Sequence, residues 1–144
     1  MNWIKIVIVI FVILETGNIF MLYFFPDLNM GNGMGAFKAW SKSQEDPNFH
    51  DLASYLVNWV AGTKLIFIGL LLVLLFTADQ PALIATAGVM AIATSSFYWR
   101  LFPLMRKMDQ EDQIEPAGYS KTLGGMIAGF IGLFLIAILL TYLF

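Results

Sequence analysis

The amino-acid sequence predicts an all-α membrane protein, an antiparallel bundle of four transmembrane helices. Of the 144 residues 59% are hydrophobic and only 12% are charged, whereas soluble domains carry about a quarter charged residues. The apolar residues also fall into four blocks, each near the roughly 20 residues that cross a hydrocarbon core of about 30 Å. Little sequence remains outside these blocks, so we expect residues 1–144 to form a single domain.

Prolines and polar turns bound the four predicted helices. The helices cover about 3–25, 55–76, 82–102 and 122–144. Pro26 disfavours helical geometry in the residue before it and ends the first helix, and Pro103 is expected to kink or end the third. Asp46 and Pro47 form a good helix start, so the second helix can begin before it reaches the membrane near Tyr55.

Two of the three predicted connections are long, covering about 26–54 and 103–121. The first holds an irregular glycine- and asparagine-rich stretch, 29–35, and then Phe37 and Trp40, whose spacing favours a short interfacial helix. The remaining connection, 77–80, is so short that the second and third helices are expected to be antiparallel neighbours. Ser120 or a neighbour is expected to cap the fourth helix.

Basic residues near the predicted helix ends lie almost entirely on the side of the two long loops. They are Lys38, Lys42, Arg100, Arg106, Lys107 and Lys121, against Lys5 on the other side. The positive-inside rule therefore places both loops in the cytoplasm and both termini outside it. Short loops, no cysteine and no Asn-x-Ser/Thr motif favour the inner (plasma) membrane of a prokaryote.

Composition excludes several classes of function. Without cysteine the chain has no disulfide framework, thiolate metal site or cysteine nucleophile. A formal net charge of −2 argues against nucleic-acid binding. His50 is the only histidine, so neither a metal site nor another cofactor is predicted. The sequence shows no serine-nucleophile motif or phosphate loop, and we assign no catalytic residue.

Two opposite charges inside the predicted helices are the sharpest functional signal. Glu15 and Lys64 lie about ten and nine residues from the loop-side ends of their helices, which places them at nearly the same depth. An isolated charge there costs a few kcal/mol, so we predict that the two form an ion pair. The pair either only fixes helix register or forms a site for a proton, an ion or a polar ligand.

The same comparison of depth predicts a polar layer around this pair. The candidate residues for a ligand or proton site are Glu15, Asn18, Thr63, Lys64, Ser95 and Arg100. Arg100 lies nearer the membrane surface, where it can snorkel or cap a polar cavity.

The fourth helix carries small residues at helical spacing. Gly125 and Gly129 form a GxxxG pair, and Gly124 and Gly132 belong to a second row beside it. Both rows allow another helix to approach closely, either from within the chain or from another subunit.

Three hypotheses for function follow. The first is a non-enzymatic bundle that binds a lipid-like or small ligand, or serves as an accessory subunit; its partners are the bilayer and a homo-oligomer or larger complex. The second is a proton- or ion-coupled transporter of small solutes in which Glu15 titrates and Lys64 is its counter-ion. The third is a membrane-embedded enzyme that uses Arg100 and the polar layer.

Overall fold

The computed structural model describes residues 2–143, which contain helices and loops and a single isolated β-bridge. The helices are α1 (Trp3–Phe24), α2 (Lys38–Ser43), α3 (Pro47–Thr77), α4 (Gln80–Ser95), α5 (Phe97–Gln110) and α6 (Tyr119–Leu143). As predicted, four helical segments are long and apolar enough to cross a membrane, α4 and α5 together forming one of them. The predicted end of the last helix at Phe144 lies outside the described residues.

Side-chain caps explain where three of the helices begin. Asn2 accepts a hydrogen bond from the amide of Lys5 (3.1 Å) at the start of α1. Asp46 accepts from the amide of Asn48 (3.0 Å) at the start of α3, and Asp79 from that of Ala82 (3.0 Å) at the start of α4. Each cap satisfies an amide that has no partner inside its own helix. The predicted helix start at Asp46 is confirmed.

The third helix is interrupted at Ser96 and not at Pro103, where the sequence predicted a kink or an end. Helix α5 continues through Pro103 to Gln110. The hydroxyls of Ser95 and Ser96 donate to the carbonyls of Ala91 (2.7 Å) and Ala93 (2.6 Å). Such bonds can compete with the backbone ladder and bend helices, and two of them coincide here with the interruption.

The fourth long helix begins at Tyr119, earlier than the predicted Thr122, and Ser120 is not its cap. Instead Asp109, near the end of α5, accepts from the amide of Gly118 (2.9 Å) and from the amide and hydroxyl of Ser120 (3.2 and 2.5 Å). The carboxylate therefore satisfies the first amides of α6 from a neighbouring helix. The second loop is therefore shorter than predicted and covers 111–118 between α5 and α6.

Helix α1 occupies the centre of the packing. It contacts α3, α4 and α6. Its Phe11 ring lies 6.2 Å from the ring of Phe67 on α3, and 5.2 and 5.5 Å from those of Phe130 and Phe134 on α6. The buried core is therefore assembled around α1, which positions its polar residues against its neighbours.

The expectation that α3 and α4 pack as neighbours is wrong. Helix α3 packs on α1 and α2, whereas α4 packs on α6, α1 and α5. The short connection brings the helices together only at the turn, where Asn2 donates to the side chain of Gln80 (2.9 Å). Helix α1 packs against both α3 and α4.

The two loops join at the opposite end, which we call the loop end. Phe37 and Ile114 form the isolated bridge, and the amide of Lys38 donates to the carbonyl of Gln113 (3.0 Å). Helix α2 is the short helix predicted near Trp40, but its Trp40 is not an interfacial side chain. It is only 5% exposed, because its indole N–H donates to Asp27 (2.7 Å) and its ring packs into the core.

The small residues of α6 do not form one packing face. A Cβ placed on Gly124 would lie 2.6 Å from the Phe102 ring, so this glycine permits close packing of α5 on α6. Gly125, Gly129 and Gly132 have no atom within 4 Å of such a Cβ. The GxxxG pair therefore has no packing partner among the described residues.

Candidate functional site

Glu15 and Lys64 form the predicted ion pair between α1 and α3. Lys64 Nζ lies 2.7 Å from Glu15 Oε2. Asn18 Nδ2 donates to the other carboxylate oxygen at 3.2 Å, since residues three apart lie on one helix face. The side chains are 14% exposed for Glu15 and 27% for Lys64. Both carboxylate oxygens are thus bonded, and the cluster has no net charge.

Lys64 retains capacity to bind a further group. An ammonium has three N–H donors, and among residues 2–143 its recorded hydrogen-bond partner is Glu15 alone. The rest of its exposed surface lines two adjoining apolar cavities. Lys64 is thus the polar group that both cavities share.

A glycine-rich segment of the first loop, residues 28–35, folds back along α1 towards the ion pair; we call it the glycine loop. A Cβ on Gly31 would lie 2.5 Å from Met21 Cε and 3.3 Å from Asn18 Oδ1. Gly31 also has a φ of +60°, a conformation that glycine adopts readily. The loop therefore lies directly beside Asn18, the residue that holds Glu15.

Two further glycines allow the glycine loop to close on itself. A Cβ on Gly33 or Gly35 would lie 1.9 Å from the carbonyl oxygen of Leu28 or Asp27 respectively, which no larger residue tolerates. The amides of Met34 and Gly35 donate to the carbonyl of Pro26 (2.8 and 3.1 Å). The loop is a compact, hydrogen-bonded structure, and the repeated Gly-x-Gly-x-Gly spacing is the signal that sequence reasoning left unused.

Contacts with the second loop and α6 hold the glycine loop in place. The hydroxyl of Tyr119, at the start of α6, donates to the carbonyl of Gly31. Lys38 Nζ lies 2.9 Å from Asp112 and 3.3 Å from Glu115. The hydrogen bond to Asp112 raises the pKa of Lys38 above its ordinary value, since it favours the charged form.

The glycine loop closes one side of a cavity of about 390 Å³ between α1 and α3, which we call the inner cavity. It is lined by Leu22, Asn32, Met34, Ala53, Leu56, Val57, Val60 and Lys64. An adjoining notch of about 460 Å³ on α3, the outer notch, is lined by Trp59, Val60, Thr63, Lys64 and Phe67. Val60 and Lys64 border both, so the two spaces meet at the ammonium.

A smaller, more polar cavity of about 160 Å³ lies nearer the loop end. It is lined by Leu22, Tyr23, Pro26, Asp27, Trp40, Gln44, His50, Ser54, Val57 and Asn58. His50 Nδ1 lies 2.9 Å from the Ser43 hydroxyl. Within residues 2–143 no three acidic or histidine side chains gather in a way that could hold a metal ion.

The structure brings together only part of the predicted polar layer. Glu15, Asn18 and Lys64 are in direct contact, and Thr63 lines the outer notch while its hydroxyl donates to the carbonyl of Trp59 (2.9 Å). Ser95 bonds within its own helix. Arg100 is exposed and lies over the Trp99 ring, 5.4 Å from its centre.

Asn32 and Met34 line the inner cavity from the glycine loop, and neither residue was predicted as part of a site from the sequence. Their loop position gave no indication that they reach the helix interface.

Comparison with protein families, with curated proteins and with solved structures finds no match for this chain. The candidate site therefore rests on its own geometry.

Proposed function

We propose that the protein is a multi-pass integral membrane protein, an antiparallel bundle with both long loops in the cytoplasm and both termini outside. The four apolar helices support insertion. So do large apolar side chains on the outer surface, such as Ile66 at 69%, Phe76 at 80% and Ile92 at 76% exposed, since contiguous apolar surface of this kind is rare on soluble monomers. The basic residues of the loops support the orientation, and the inner (plasma) membrane is the proposed location.

Within that membrane, we propose that the protein binds a lipophilic small molecule at the inner cavity. The observation that carries this proposal is an apolar cavity of about 390 Å³ with polar groups at defined places, Lys64 and Asn32. Small-molecule sites are typically apolar, of about 300–1,000 Å³, with few polar groups that orient the ligand. The cavity is open at its side, so a ligand can enter from the surrounding bilayer.

The position of the glycine loop supports the same conclusion. Its backbone reaches the level of Asn18, well inside the length of α1. Non-helical backbone at such a depth is tolerated in membranes only where it is buried in protein or lines a cavity. A loop that needs three glycines and lies against the inner cavity is better explained as part of a binding site than as a passive connection.

A binding assay with a cavity-filling variant tests the proposal. Wild-type protein in nanodiscs should take up more decylubiquinone or dodecylbenzene than empty nanodiscs of the same lipid at equilibrium. Val60→Trp fills the border between cavity and notch and should abolish the excess. Val73→Trp is the matched control, because Val73 is similarly exposed on α3 (58%, against 51% for Val60) but borders neither space. If neither probe is enriched by the wild type, the proposal fails.

Proton- or ion-coupled transport remains the second candidate. What favours it is the neighbourhood of two cavities: the polar cavity near the loop end shares Leu22 and Val57 with the inner cavity, which Lys64 of the ion pair lines. In liposomes Glu15→Gln should remove a pH-dependent flux while the protein still folds. Wild-type protein that shows no flux across a pH gradient would remove this candidate and leave ligand binding unaffected.

A further inference from the structure

Lys64 and Asn32 are the polar residues that line the inner cavity, and both carry hydrogen-bond donors with spare capacity. Lys64 uses one of its three N–H groups on Glu15. The side chain of Asn32, which lines the same cavity, makes no recorded hydrogen bond to any residue between 2 and 143. Donors that border an apolar space can recognise an acceptor atom, because a ligand that covers them must replace the hydrogen bonds that they lose to water.

The charge of the site selects a neutral acceptor over an anion. Glu15 and Lys64 already neutralise each other at 2.7 Å, and the Asn18 amide occupies the second oxygen of Glu15. A carboxylate or phosphate ligand would add a negative charge close to Glu15 and leave the site with net charge −1. In an apolar, membrane-embedded space this is strongly unfavourable. A carbonyl oxygen accepts hydrogen bonds from the free N–H groups and adds no charge to the site.

The walls on either side of Lys64 suit a flat ring. Trp59 and Phe67 both line the outer notch, together with Val60 and Thr63. Aromatic side chains pack favourably against other rings in stacked or edge-to-face arrangements. An apolar tail can then follow the inner cavity, along Val57 towards Leu22.

On the basis of the proposed function, we propose that the ligand is a neutral lipophilic carbonyl compound, of the quinone type, whose oxygen accepts a hydrogen bond from Lys64. The amide of Asn32 is the second donor of the site. The ion pair then has a defined role. Glu15 orients Lys64 and neutralises its charge, and Lys64 donates the hydrogen bond that recognises the ligand.

Three probes in one nanodisc assay test this inference. They are decylubiquinone, which has ring carbonyls, dodecylbenzene, which has a ring and tail without oxygen, and palmitate, which is anionic. Loss of one or two hydrogen bonds corresponds to about a tenfold change in affinity. Wild-type protein is therefore expected to bind decylubiquinone about tenfold more tightly than dodecylbenzene, and palmitate more weakly than decylubiquinone.

Variants test which side chains produce the preference for decylubiquinone over dodecylbenzene. Removing Lys64 alone leaves Glu15 without its partner, so the informative variant is the neutral double substitution Glu15→Gln with Lys64→Met, checked for folding by circular dichroism. It should bind both ring probes equally, and Asn32→Ala should lose part of the preference. Lys5→Met, which removes an ammonium at the turn end, should keep it.

Each outcome decides between the two proposals. Equal binding of decylubiquinone and dodecylbenzene by the wild type overturns the carbonyl inference and leaves lipophile binding standing. Preference for palmitate, or a decylubiquinone preference that survives in the double variant, also overturns it. If none of the three probes is enriched, the proposed function itself is overturned.

Discussion

Tyr119 at the start of α6 donates its hydroxyl proton to the carbonyl of Gly31, a residue 88 positions earlier in the chain. This bond joins the glycine loop to a helix that takes no other part in the inner cavity. Tyr119 is itself buried beside Ala36 and Ile114 in a small cluster under the two loops. The second loop and α6 therefore stabilise the wall of a cavity that lies between α1 and α3.

Tyr119→Phe should loosen the glycine loop without unfolding the bundle. The variant keeps the ring but leaves the Gly31 carbonyl without its partner, which costs roughly 1 kcal/mol. Hydrogen exchange followed by mass spectrometry should show faster exchange in peptides that cover 28–35. Tyr142→Phe is the control, because Tyr142 is 72% exposed; equal exchange in both variants would contradict the role assigned to Tyr119.

Removal of one partner of the ion pair should destabilise more than removal of both. Lys64→Met leaves a partly buried carboxylate unpaired and is expected to cost up to about 3 kcal/mol. The double variant with Glu15→Gln should recover most of that loss. The free energy of unfolding, measured by denaturant titration in detergent, gives the coupling as a double-mutant cycle. Additive effects of the two substitutions would show that the pair contributes nothing to stability.

The glycines of α6 offer a matched pair of substitutions. Gly124→Ala places a methyl group 2.6 Å from the Phe102 ring and should destabilise by about 1–3 kcal/mol, because overpacking forces the ring to move. Gly125→Ala meets nothing within 4 Å and should be neutral or stabilising by up to about 1 kcal/mol, since alanine favours helix. Thermal unfolding of the two variants compares their stabilities directly. If the helices pack through the GxxxG pair, Gly125→Ala should instead be destabilised.

Alanine in the glycine loop should be far more damaging than alanine in α3. In Gly33→Ala the new Cβ would lie 1.9 Å from the carbonyl oxygen of Leu28, so the loop must rearrange. Ligand binding should be lost while the helix content measured by circular dichroism is kept. Gly69→Ala has free space around it and serves as the control. Unchanged binding in Gly33→Ala would show that the loop does not shape the cavity.

The contact between the two loops should weaken in strongly alkaline solution. The pKa of Lys38 is raised, chiefly by its hydrogen bond to Asp112. A raised lysine pKa adds stability that is fully present below the ordinary value of 10.5 and is lost as the pH rises through the higher folded-state value. The difference in melting temperature between wild type and Lys38→Met should therefore shrink above that pH. A difference that is constant from pH 8 to pH 11 would contradict this assignment.

Hydropathy, proline and charge allowed the sequence to predict the four long helices and the contact of Glu15 with Lys64. These features depend on local composition and on depth, which can be counted along the chain. The partner of each helix could not be predicted in this way, since α1 separates α3 from α4 through packing between distant segments. The interruption at Ser96 was missed because serine acts there through its hydroxyl, whereas Pro103 seemed the stronger signal.

The candidate site was predicted only where helical spacing defines it. Asn18 follows Glu15 by three residues and bonds to it. Asn32 and Met34 reach the cavity through a backbone path fixed by three glycines, and a local pattern does not encode that path. Ser95, predicted at the depth of the pair, bonds within its own helix, and Arg100 lies over the Trp99 ring, because depth alone does not specify which way a helix face points.

The separation of Glu15 and Lys64 along the chain, 49 residues, has a consequence for biosynthesis. In a membrane-inserted chain α1 leaves the ribosome before α3, so the carboxyl group of Glu15 emerges ahead of its compensating lysine. At about 5–20 residues per second this interval lasts roughly 2–10 s. The apolar character of α1, with a mean hydropathy of 2.3 over an 18-residue window, offsets the cost of a few kcal/mol for a lone acid in a nascent span. The ion pair between Glu15 and Lys64 can form only when α3 has followed and packed against α1, so this contact belongs to the later part of assembly.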